Sequence, residues 1–262
     1  MRILSRFASI ISRLKIAFSD PNAAIKYIVG GREGVVRFKL SQLLQTKDSG
    51  LKKYFHEFDE FDEYIKSELL SSGMKYFPPI DFGKTLYVIC RVMRPMTIVE
   101  TGVAAGLSTS YMLHALEKNG WGELHSIDIP NYEAELIKKI PSYLPEPLSI
   151  LPPKKNVGFL VPENLKHRWH LHLGLSKDLL PNLCKSLGEI DIFLHDSEHT
   201  YENMWFEYTT AWRHLRNGGY LLSDDTWWNT AFKDFCHKVK AKPVYIYSTG
   251  LAGIRKADEV TI

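Results

Sequence analysis

The spacing of hydrophobic and polar residues predicts alternating strands and helices over the second two-thirds of the chain. An apolar run at 97–99 stops at Glu100, a turn of small residues follows, and residues 107–116 then place their apolar side chains at helical spacing. The predicted strands are 97–99, 123–127, 169–173, 190–194, 220–223, 244–247 and 251–255, and the later predicted helices are 179–187, 202–215 and 231–239. Alternation of this kind is typical of an α/β fold with a doubly wound, mostly parallel sheet, here of seven strands with a final antiparallel hairpin.

Residues 1–80 carry helical patterns without strand signals, which predicts a helical N-terminal extension before a sheet domain at 81–262. Within the extension, residues 51–70 are predicted to form one aromatic-rich amphipathic helix. The first 18 residues also have helical spacing, with basic residues between the apolar ones and no acid before Asp20. Two interpretations of 1–18 remain open: a helix that packs on its own domain or on a second copy, and a helix that contacts a membrane surface.

The segment 130–162 differs from the rest of the sheet domain because it holds seven of the chain's 13 prolines. Proline at that density excludes a long helix or a central strand. We therefore predict a Pro-rich insertion draped over the carboxyl edge of the sheet. Both a lid and a passive linker are compatible with it.

Composition narrows the class of protein. The net charge of +3 is too small to favour a nucleic-acid partner, and no apolar run approaches the length of about 20 residues that a membrane span needs. Three isolated cysteines indicate a reducing compartment without a disulfide framework. These features predict a cytoplasmic protein, with peripheral membrane contact through 1–18 left open.

The turn after the first predicted strand, Gly102-x-x-x-Gly106, indicates a site for a nucleoside-bearing cofactor. A glycine turn lets a ligand approach the backbone, and an acid at the end of the following strand, Asp128, can accept hydrogen bonds from a ribose diol. A dinucleotide site prefers G-x-G-x-x-G. Glu100 beside the turn would repel a pyrophosphate and would suit a ligand with a positive end, such as S-adenosylmethionine.

Three acids are predicted to meet at the carboxyl edge of the sheet. Asp196 follows one predicted strand, and Asp224 and Asp225 follow the next one along the chain. Adjacent parallel strands lie about 4.8 Å apart, so these carboxylates would repel one another unless a cation lay between them. All-oxygen ligands suit Mg²⁺ or Mn²⁺. The alternative is that Asp225 caps the following helix and Asp224 pairs with a lysine.

Several motifs within residues 80–256 resemble those of the class I S-adenosylmethionine-dependent methyltransferases. VETGVAAGLS at 99–108 resembles their first motif, HSIDI at 125–129 their acidic second motif, and GLSKD at 174–178 the turn whose serine lies against adenine. The runs at 190–202 and 218–225 resemble the fourth and fifth strands of that fold. The most similar subgroup is the metal-dependent small-molecule O-methyltransferases, which include catechol O-methyltransferase and the sugar and antibiotic enzymes related to cephalosporin hydroxylase.

This resemblance implies a role for each residue of the site. The implied contacts with S-adenosylmethionine are Glu100, Gly102, Gly106, Ser108, Asp128, Ser176 and Asp196. The implied ligands of Mg²⁺ or Mn²⁺ are Asp196, Asp224 and Asp225. In the family a base, often lysine, lies three residues after the first of these acids. Here that residue is His199, which becomes the predicted catalytic base for an acceptor hydroxyl.

The predicted function is therefore methyl transfer to a hydroxyl of a small molecule or glycan. Two other classes remain open. The first is a nicotinamide-dependent dehydrogenase, against which the missing G-x-G-x-x-G counts. The second is a non-catalytic module that binds a cofactor or a membrane, against which the acid cluster counts. A homo-oligomer is compatible with the sequence, and His170 and His172, which alternate on one predicted strand, favour a structural role.

Overall fold

The computed structural model of the protein describes residues 20–74, 80–129, 151–152, 155–246 and 249–257. At its centre is a sheet of seven strands in the order β3-β2-β1-β4-β5-β7-β6. The strands are β1 (Thr97–Thr101), β2 (Glu123–Asp128), β3 (Trp169–Leu173), β4 (Ile190–His195), β5 (Leu215–Ser223), β6 (Val244–Tyr245) and β7 (Ala252–Arg255). Strands β1 to β5 are parallel, and β7 is antiparallel to both of its neighbours. The predicted α/β fold and its antiparallel hairpin are confirmed.

Helices lie on both faces of this sheet. The helices of the described residues are α1 (Pro21–Leu43), α2 (Asp48–Leu51), α3 (Asp59–Ser71), α4 (Ile80–Met93), α5 (Leu107–Asn119), α6 (Ser176–Leu187), α7 (Tyr201–His214) and α8 (Ala231–Lys238). Two 3₁₀ turns add to them, at Lys52–His56 and Glu163–Arg168. Helix α1 is kinked at Gly31, whose φ is 61°.

Two hydrophobic cores flank the sheet, and neighbouring residues of each central strand face opposite cores. In β1, Ile98 packs with the core of α4 and α5, whereas Val99 packs with the core of α6 to α8. In β4, Leu194 and Phe193 divide in the same way. A parallel sheet covered on both faces leaves its strand ends as the accessible places for polar chemistry.

The described part of the predicted N-terminal extension, residues 20–74, is helical. It packs on the α4 and α5 side of the sheet through polar as well as apolar contacts. Asp62 of α3 is buried and accepts a hydrogen bond from the Tyr111 hydroxyl while pairing with Lys84. Glu57 pairs with Arg91 at 2.7 Å. These contacts join the first helices to those that cover the sheet.

The prediction of one continuous helix over 51–70 is wrong. The chain forms a 3₁₀ turn and then α3, with a break at Phe58, whose φ and ψ are −122° and 14°. The Phe58 ring is 2% exposed and lies edge-on to Tyr87 and Tyr111, at centroid distances of 5.1 and 6.3 Å. Burial of this ring against two other aromatic rings overrides the local helical pattern.

A second difference concerns the start of β5, which sequence patterning places at residue 220. Helix α7 ends at His214, and β5 already begins at Leu215. Gly219 lies inside this strand, where an added Cβ would be 2.8 Å from the carbonyl oxygen of Asp191. Gly219 therefore permits close strand contact, next to a register shift between β4 and β5.

Some predictions fall on residues outside the described ranges. The amphipathic helix at 1–18, with its membrane or packing role, is one of them, and so is most of the insertion at 130–162. None of the helices in the described ranges is both long and apolar enough to cross a membrane. The three cysteines are buried free thiols.

Candidate active site

The ends of four parallel strands are joined by backbone hydrogen bonds into one edge. The Gly102 amide donates to the Ile127 carbonyl oxygen at 2.9 Å, which joins the end of β1 to β2. The Asp196 amide donates to Thr101 at 2.8 Å, and the Asp224 amide donates to His195 at 2.9 Å. These bonds carry Gly102, Asp196 and Asp224 to neighbouring positions, as the sequence predicts.

The glycine turn between β1 and α5 has two positions that exclude a side chain. Gly102 has a φ of 86°, and an added Cβ would lie 1.9 Å from the carbonyl oxygen of Asp196. Gly106 has a φ of 90°, and its added Cβ would lie 2.9 Å from the Cα of Gly158. Other segments of backbone therefore approach the turn closely on two sides, where only glycine leaves enough room.

The second of these neighbours belongs to the described end of the predicted insertion. The Gly158 amide donates to the Ala104 carbonyl oxygen at 2.8 Å, and the Leu160 amide donates to Ala105 at 3.0 Å. Leu160 is fully buried. This part of the insertion therefore packs against the glycine turn through backbone hydrogen bonds.

Asp128 organises the glycine turn. One of its oxygens accepts the amides of Val103 and Ala104 at 2.9 and 2.7 Å, and the other accepts the Ile129 amide at 2.6 Å. Burial raises the pKa of this carboxyl, and the three backbone amides oppose that effect. A carboxylate offers about four lone-pair positions, so three are occupied. One position remains for a ligand, rather than the two that a pair of ribose bonds would use.

Glu100 lies beneath the turn, and its carboxyl group is enclosed. It accepts hydrogen bonds from the hydroxyls of Ser108 at 2.5 Å, Thr109 at 2.8 Å and Ser126 at 2.7 Å. Burial, with a smaller effect of the Asp128 charge, raises the pKa of Glu100 to about 7. The structure thus pairs two predicted cofactor contacts, Glu100 and Ser108, with each other.

A cluster of ionisable side chains occupies the ends of β4 and β5. Asp196, His199 and Asp224 each place one possible ligand atom within 4.8 Å of the other two. Burial and the neighbouring carboxylates raise the pKa of Asp196 well above its ordinary value and that of Asp224 to about 7. Burial and the charge of His195 lower the pKa of His199 to about 3.

Two features of this cluster fit a bound cation. Its carboxyls disfavour their own ionisation, which a cation would reverse. The Nε2 atom of His199 is buried and has no hydrogen-bond partner among the described residues. A buried imidazole nitrogen without a partner is uncommon, because unsatisfied polar atoms are costly in a protein interior.

Asp225 is placed differently from its sequence-predicted partners. Its backbone has a φ of 46°, and its carboxylate accepts a hydrogen bond from the indole of Trp227 at 3.0 Å. The side chains of Trp227 and the neighbouring Trp228 are 74% and 46% exposed. The structure therefore groups His199 with Asp196 and Asp224, while the Asp225 carboxylate contacts the neighbouring Trp227.

A buried network beside this cluster has no counterpart among the sequence-predicted residues. Glu207 of α7 accepts a bond from Thr101 at 2.6 Å and one from Ser197 at 2.8 Å, and its carboxylate also contacts His195 Nδ1. Burial raises the pKa of Glu207, but the neighbouring His195 and the hydrogen bonds that the carboxylate accepts hold the pKa below its ordinary value.

The Ser176 hydroxyl also reaches this network, because it donates a hydrogen bond to the Asn203 side chain at 3.4 Å. Glu207 shares its helix face with buried Met204, Tyr208 and Ala211, which is the signal that could have revealed it.

Comparison with known proteins identifies the family to which the central part of the chain is similar. Residues 99–226 match the family model described as "Methyltransferase domain". These residues form a class I methyltransferase domain. The match covers the glycine turn, Asp128, His199 and the acids of β4 and β5. It decides against the dehydrogenase alternative.

Solved structures support the same fold for this methyltransferase domain. Cofactor-bound Rv0187 from MTB is 16% identical, with 75% of this chain and 91% of that chain covered and a TM-score of 0.53. The O-methyltransferase TomG from Streptomyces achromogenes, in complex with SAM, is 18% identical, with 85% and 96% covered and a TM-score of 0.51. The SAH-bound methyltransferase PaMTH1 of Podospora anserina is 15% identical, with 76% and 88% covered and a TM-score of 0.50. No curated protein matches the chain.

Proposed function

We propose that the protein transfers a methyl group from S-adenosylmethionine to a hydroxyl of a small molecule or glycan, assisted by a divalent cation. The observation that carries this proposal is the contact between Gly102 and Asp196. An added Cβ on Gly102 would lie 1.9 Å from the carbonyl oxygen of Asp196. The glycine turn of the cofactor site and the acid cluster are therefore parts of one site.

The residues of the turn fit S-adenosylmethionine. Asp128 retains one lone-pair position for a ribose hydroxyl. Asp128, Asp196 and Asp224 make this edge acidic, which suits a ligand with an ammonium and a sulfonium. Glu100 supports the cofactor site indirectly in this proposal, because its carboxyl accepts hydrogen bonds from the hydroxyls of the first turn of α5. Two of the similar structures hold SAH and SAM, which agrees with this fit.

The cluster at β4 and β5 fits a divalent cation with Asp196, Asp224 and His199 as ligands. The partnerless Nε2 atom of His199 supports this set over one with Asp225, whose carboxylate is bonded to Trp227. Carboxylates suit Mg²⁺ and Mn²⁺ alike, whereas an imidazole is a better ligand for Mn²⁺ than for Mg²⁺. We therefore favour Mn²⁺.

The chemistry divides between the bound groups and the chain. S-adenosylmethionine supplies an electrophilic methyl group, and a divalent cation supplies the Lewis acidity that lowers the pKa of an acceptor hydroxyl. The chain orients the donor through the turn and Asp128, and holds the acceptor at the end of β5. Exposed Trp227 and Trp228, 5.7 Å apart between ring centroids, offer apolar faces for an aromatic or sugar ring there.

His199 has two proposed roles that make different predictions. As the catalytic base, its loss lowers turnover by about 10²–10⁴-fold and leaves the affinity for Mn²⁺ unchanged. As a ligand, its loss lowers the affinity for Mn²⁺. The unpartnered Nε2 atom favours the ligand role.

Methyl transfer can be tested by mass detection across phenols, sugars and sugar nucleotides, with Mn²⁺ or with a chelator. Mn²⁺ and S-adenosylhomocysteine binding are measured in parallel for D224N, D225N and H199A. We expect product only with the cation, and a larger loss of Mn²⁺ affinity in D224N and H199A than in D225N. Full turnover in chelator would remove the cation from the proposal. Cofactor binding without product from any acceptor class would favour the non-catalytic module.

A further inference from the structure

Away from the methyl-transfer site, three imidazoles and one carboxylate meet where β2 pairs with the edge strand β3. His125 of β2 is the register partner of His170 of β3. Glu123 and His172 lie two residues from them along their own strands, on the same face, because successive side chains alternate between faces. His125 is partly buried, with a side chain 12% exposed, while Glu123 and His170 are 58% and 44% exposed.

The distances within this group are those of a metal-binding set. The Glu123 carboxylate lies 3.0 Å from His170 Nε2 and 3.9 Å from His125 Nε2. One ligand atom from each of the three residues lies within 4.8 Å of the others. Ligands of a tetrahedral zinc ion at about 2.0–2.1 Å stand about 3.4 Å apart, which falls between the two observed distances.

A simple ion pair does not account for the arrangement. It would explain Glu123 and His170, but it leaves His125 stacked on two other imidazoles, with centroid distances of 4.5 Å to His170 and 5.7 Å to His172. An ion pair with Glu123 therefore accounts for the position of His170 but not for those of the other two imidazoles.

His172 adds the feature that usually accompanies a metal-binding histidine. Its Nε2 atom lies 3.5 Å from Nδ1 of His125, whereas the other nitrogen of His125 faces Glu123. A hydrogen bond to the second ring nitrogen fixes the orientation of a ligating imidazole. One nitrogen of His125 thus faces Glu123, and the other lies next to His172.

We propose that Glu123, His125 and His170 bind a zinc ion at the β2–β3 edge of the sheet, with His172 orienting His125. Two imidazoles and one carboxylate favour Zn²⁺ over Mg²⁺ or Ca²⁺ and leave a fourth position for water. The ion would join the edge strand to β2. Asp128 lies three residues beyond His125, about 10 Å along the strand, so this site is separate from the one proposed for methyl transfer.

The test is zinc titration of the full chain after removal of metals, followed by calorimetry. The variants are H170A and E123Q, both at exposed positions, with H167A as the control because His167 is an exposed histidine bonded to Glu117 instead. D224N is included to remove the other candidate cation cluster. Circular dichroism and the melting temperature establish that each variant is folded.

In the D224N background, which lacks the other candidate cation cluster, we expect one zinc site that H170A and E123Q weaken at least tenfold and that H167A leaves unchanged. In that background, zinc should raise the melting temperature of the protein with and without H167A, but not that of the protein with H170A. Equal zinc binding by the unmodified protein and H170A would overturn the proposal. So would loss of all zinc binding in D224N, which would assign the ion to the cluster at β4 and β5.

Discussion

The Nδ1 atom of His195 lies 2.6 Å from the carboxylate of Glu207, and both side chains are fully buried. His195 ends β4, one residue before Asp196, while Glu207 belongs to the middle of α7. The same carboxylate also accepts the hydroxyl of Thr101 at the end of β1. This network therefore fixes the base of the candidate active site, with two strand ends and one helix attached to a single carboxylate.

The first prediction concerns the loss of that carboxylate. E207A leaves the side chains of His195, Thr101 and Ser197 without their common hydrogen-bond acceptor in the protein interior. Leaving a buried polar group without its partner typically costs about 1–3 kcal/mol of unfolding free energy, and three such groups lose theirs here. E207Q retains an oxygen acceptor and should cost less. Denaturant unfolding measures both.

The control for this prediction is E202A, an exposed acid in the first turn of the same helix. Its loss should change the unfolding free energy by about 1 kcal/mol or less, the usual size of a helix-dipole effect. Equal stabilities of E207A and E202A would show that the network does not stabilise the fold.

The second prediction concerns the pH dependence of stability through Glu100. The pKa of this buried carboxyl is about 7 in the folded chain, against 4.5 as its ordinary value. Between these values the folded chain retains a proton that the unfolded chain has lost, so stability falls as the pH rises through this window. The full effect corresponds to about 3 kcal/mol, at about 1.4 kcal/mol per pH unit.

E100Q is the matched variant, because its amide oxygen can still accept the hydroxyls of Thr109 and Ser126, which share one oxygen of Glu100, but the amide does not ionise. The unfolding free energy of the unmodified chain minus that of E100Q should decrease between pH 5 and pH 7.5. Taking the difference removes the titration of other groups. Parallel stability curves for the two proteins would contradict the assignment of the pH effect to Glu100.

The third prediction separates backbone strain from contact in the glycine turn. G102A meets the Asp196 carbonyl oxygen at 1.9 Å, whereas G120A has the same left-handed backbone, with a φ of 82°, and meets nothing within 4 Å. G120A should cost about 1–2 kcal/mol of stability, the usual strain of that conformation. G102A should cost more and should also weaken cofactor binding. Equal effects of the two changes would show that the turn tolerates a side chain at Gly102.

Much of the fold follows from patterns that are local in sequence. Strands β1 and β4 were predictable because their apolar runs are short and bounded by polar or glycine residues. The break at Phe58 was not, because it depends on contacts with Tyr87 and Tyr111, about 30 and 50 positions further along the chain. Local spacing carries no information about such contacts.

The positions of Asp128, Asp196 and Asp224 at strand ends were predictable, because one acidic residue marks the end of each strand. The detailed arrangement of the candidate site was not. The resemblance implied Asp225 as a third ligand, which stays a prediction, but it gave no sign that the Asp225 carboxylate accepts a hydrogen bond from Trp227. The network of Glu207 required the packing of a helix against two strands, which only the folded chain shows.

The fourth prediction distinguishes the two functions of Asp128, in ordering the turn and in binding a ligand. D128A removes the acceptor of the Val103 and Ala104 amides together with the ribose contact, so the affinity for S-adenosylhomocysteine should fall by about 10- to 100-fold, the worth of one hydrogen bond to a charged group. D128N keeps one acceptor oxygen for the turn and should lose less. Calorimetry on both variants measures the difference, and unchanged affinity in a folded D128A would remove Asp128 from the site.

The central claim is that the edge formed by the glycine turn and the acid cluster binds S-adenosylmethionine. The most direct measurement is calorimetric titration of the full chain with S-adenosylhomocysteine and, separately, with NAD. The structure predicts saturable binding of S-adenosylhomocysteine with one site per chain and no binding of NAD, because the acids at this edge disfavour a pyrophosphate. Binding of NAD without binding of S-adenosylhomocysteine would contradict it.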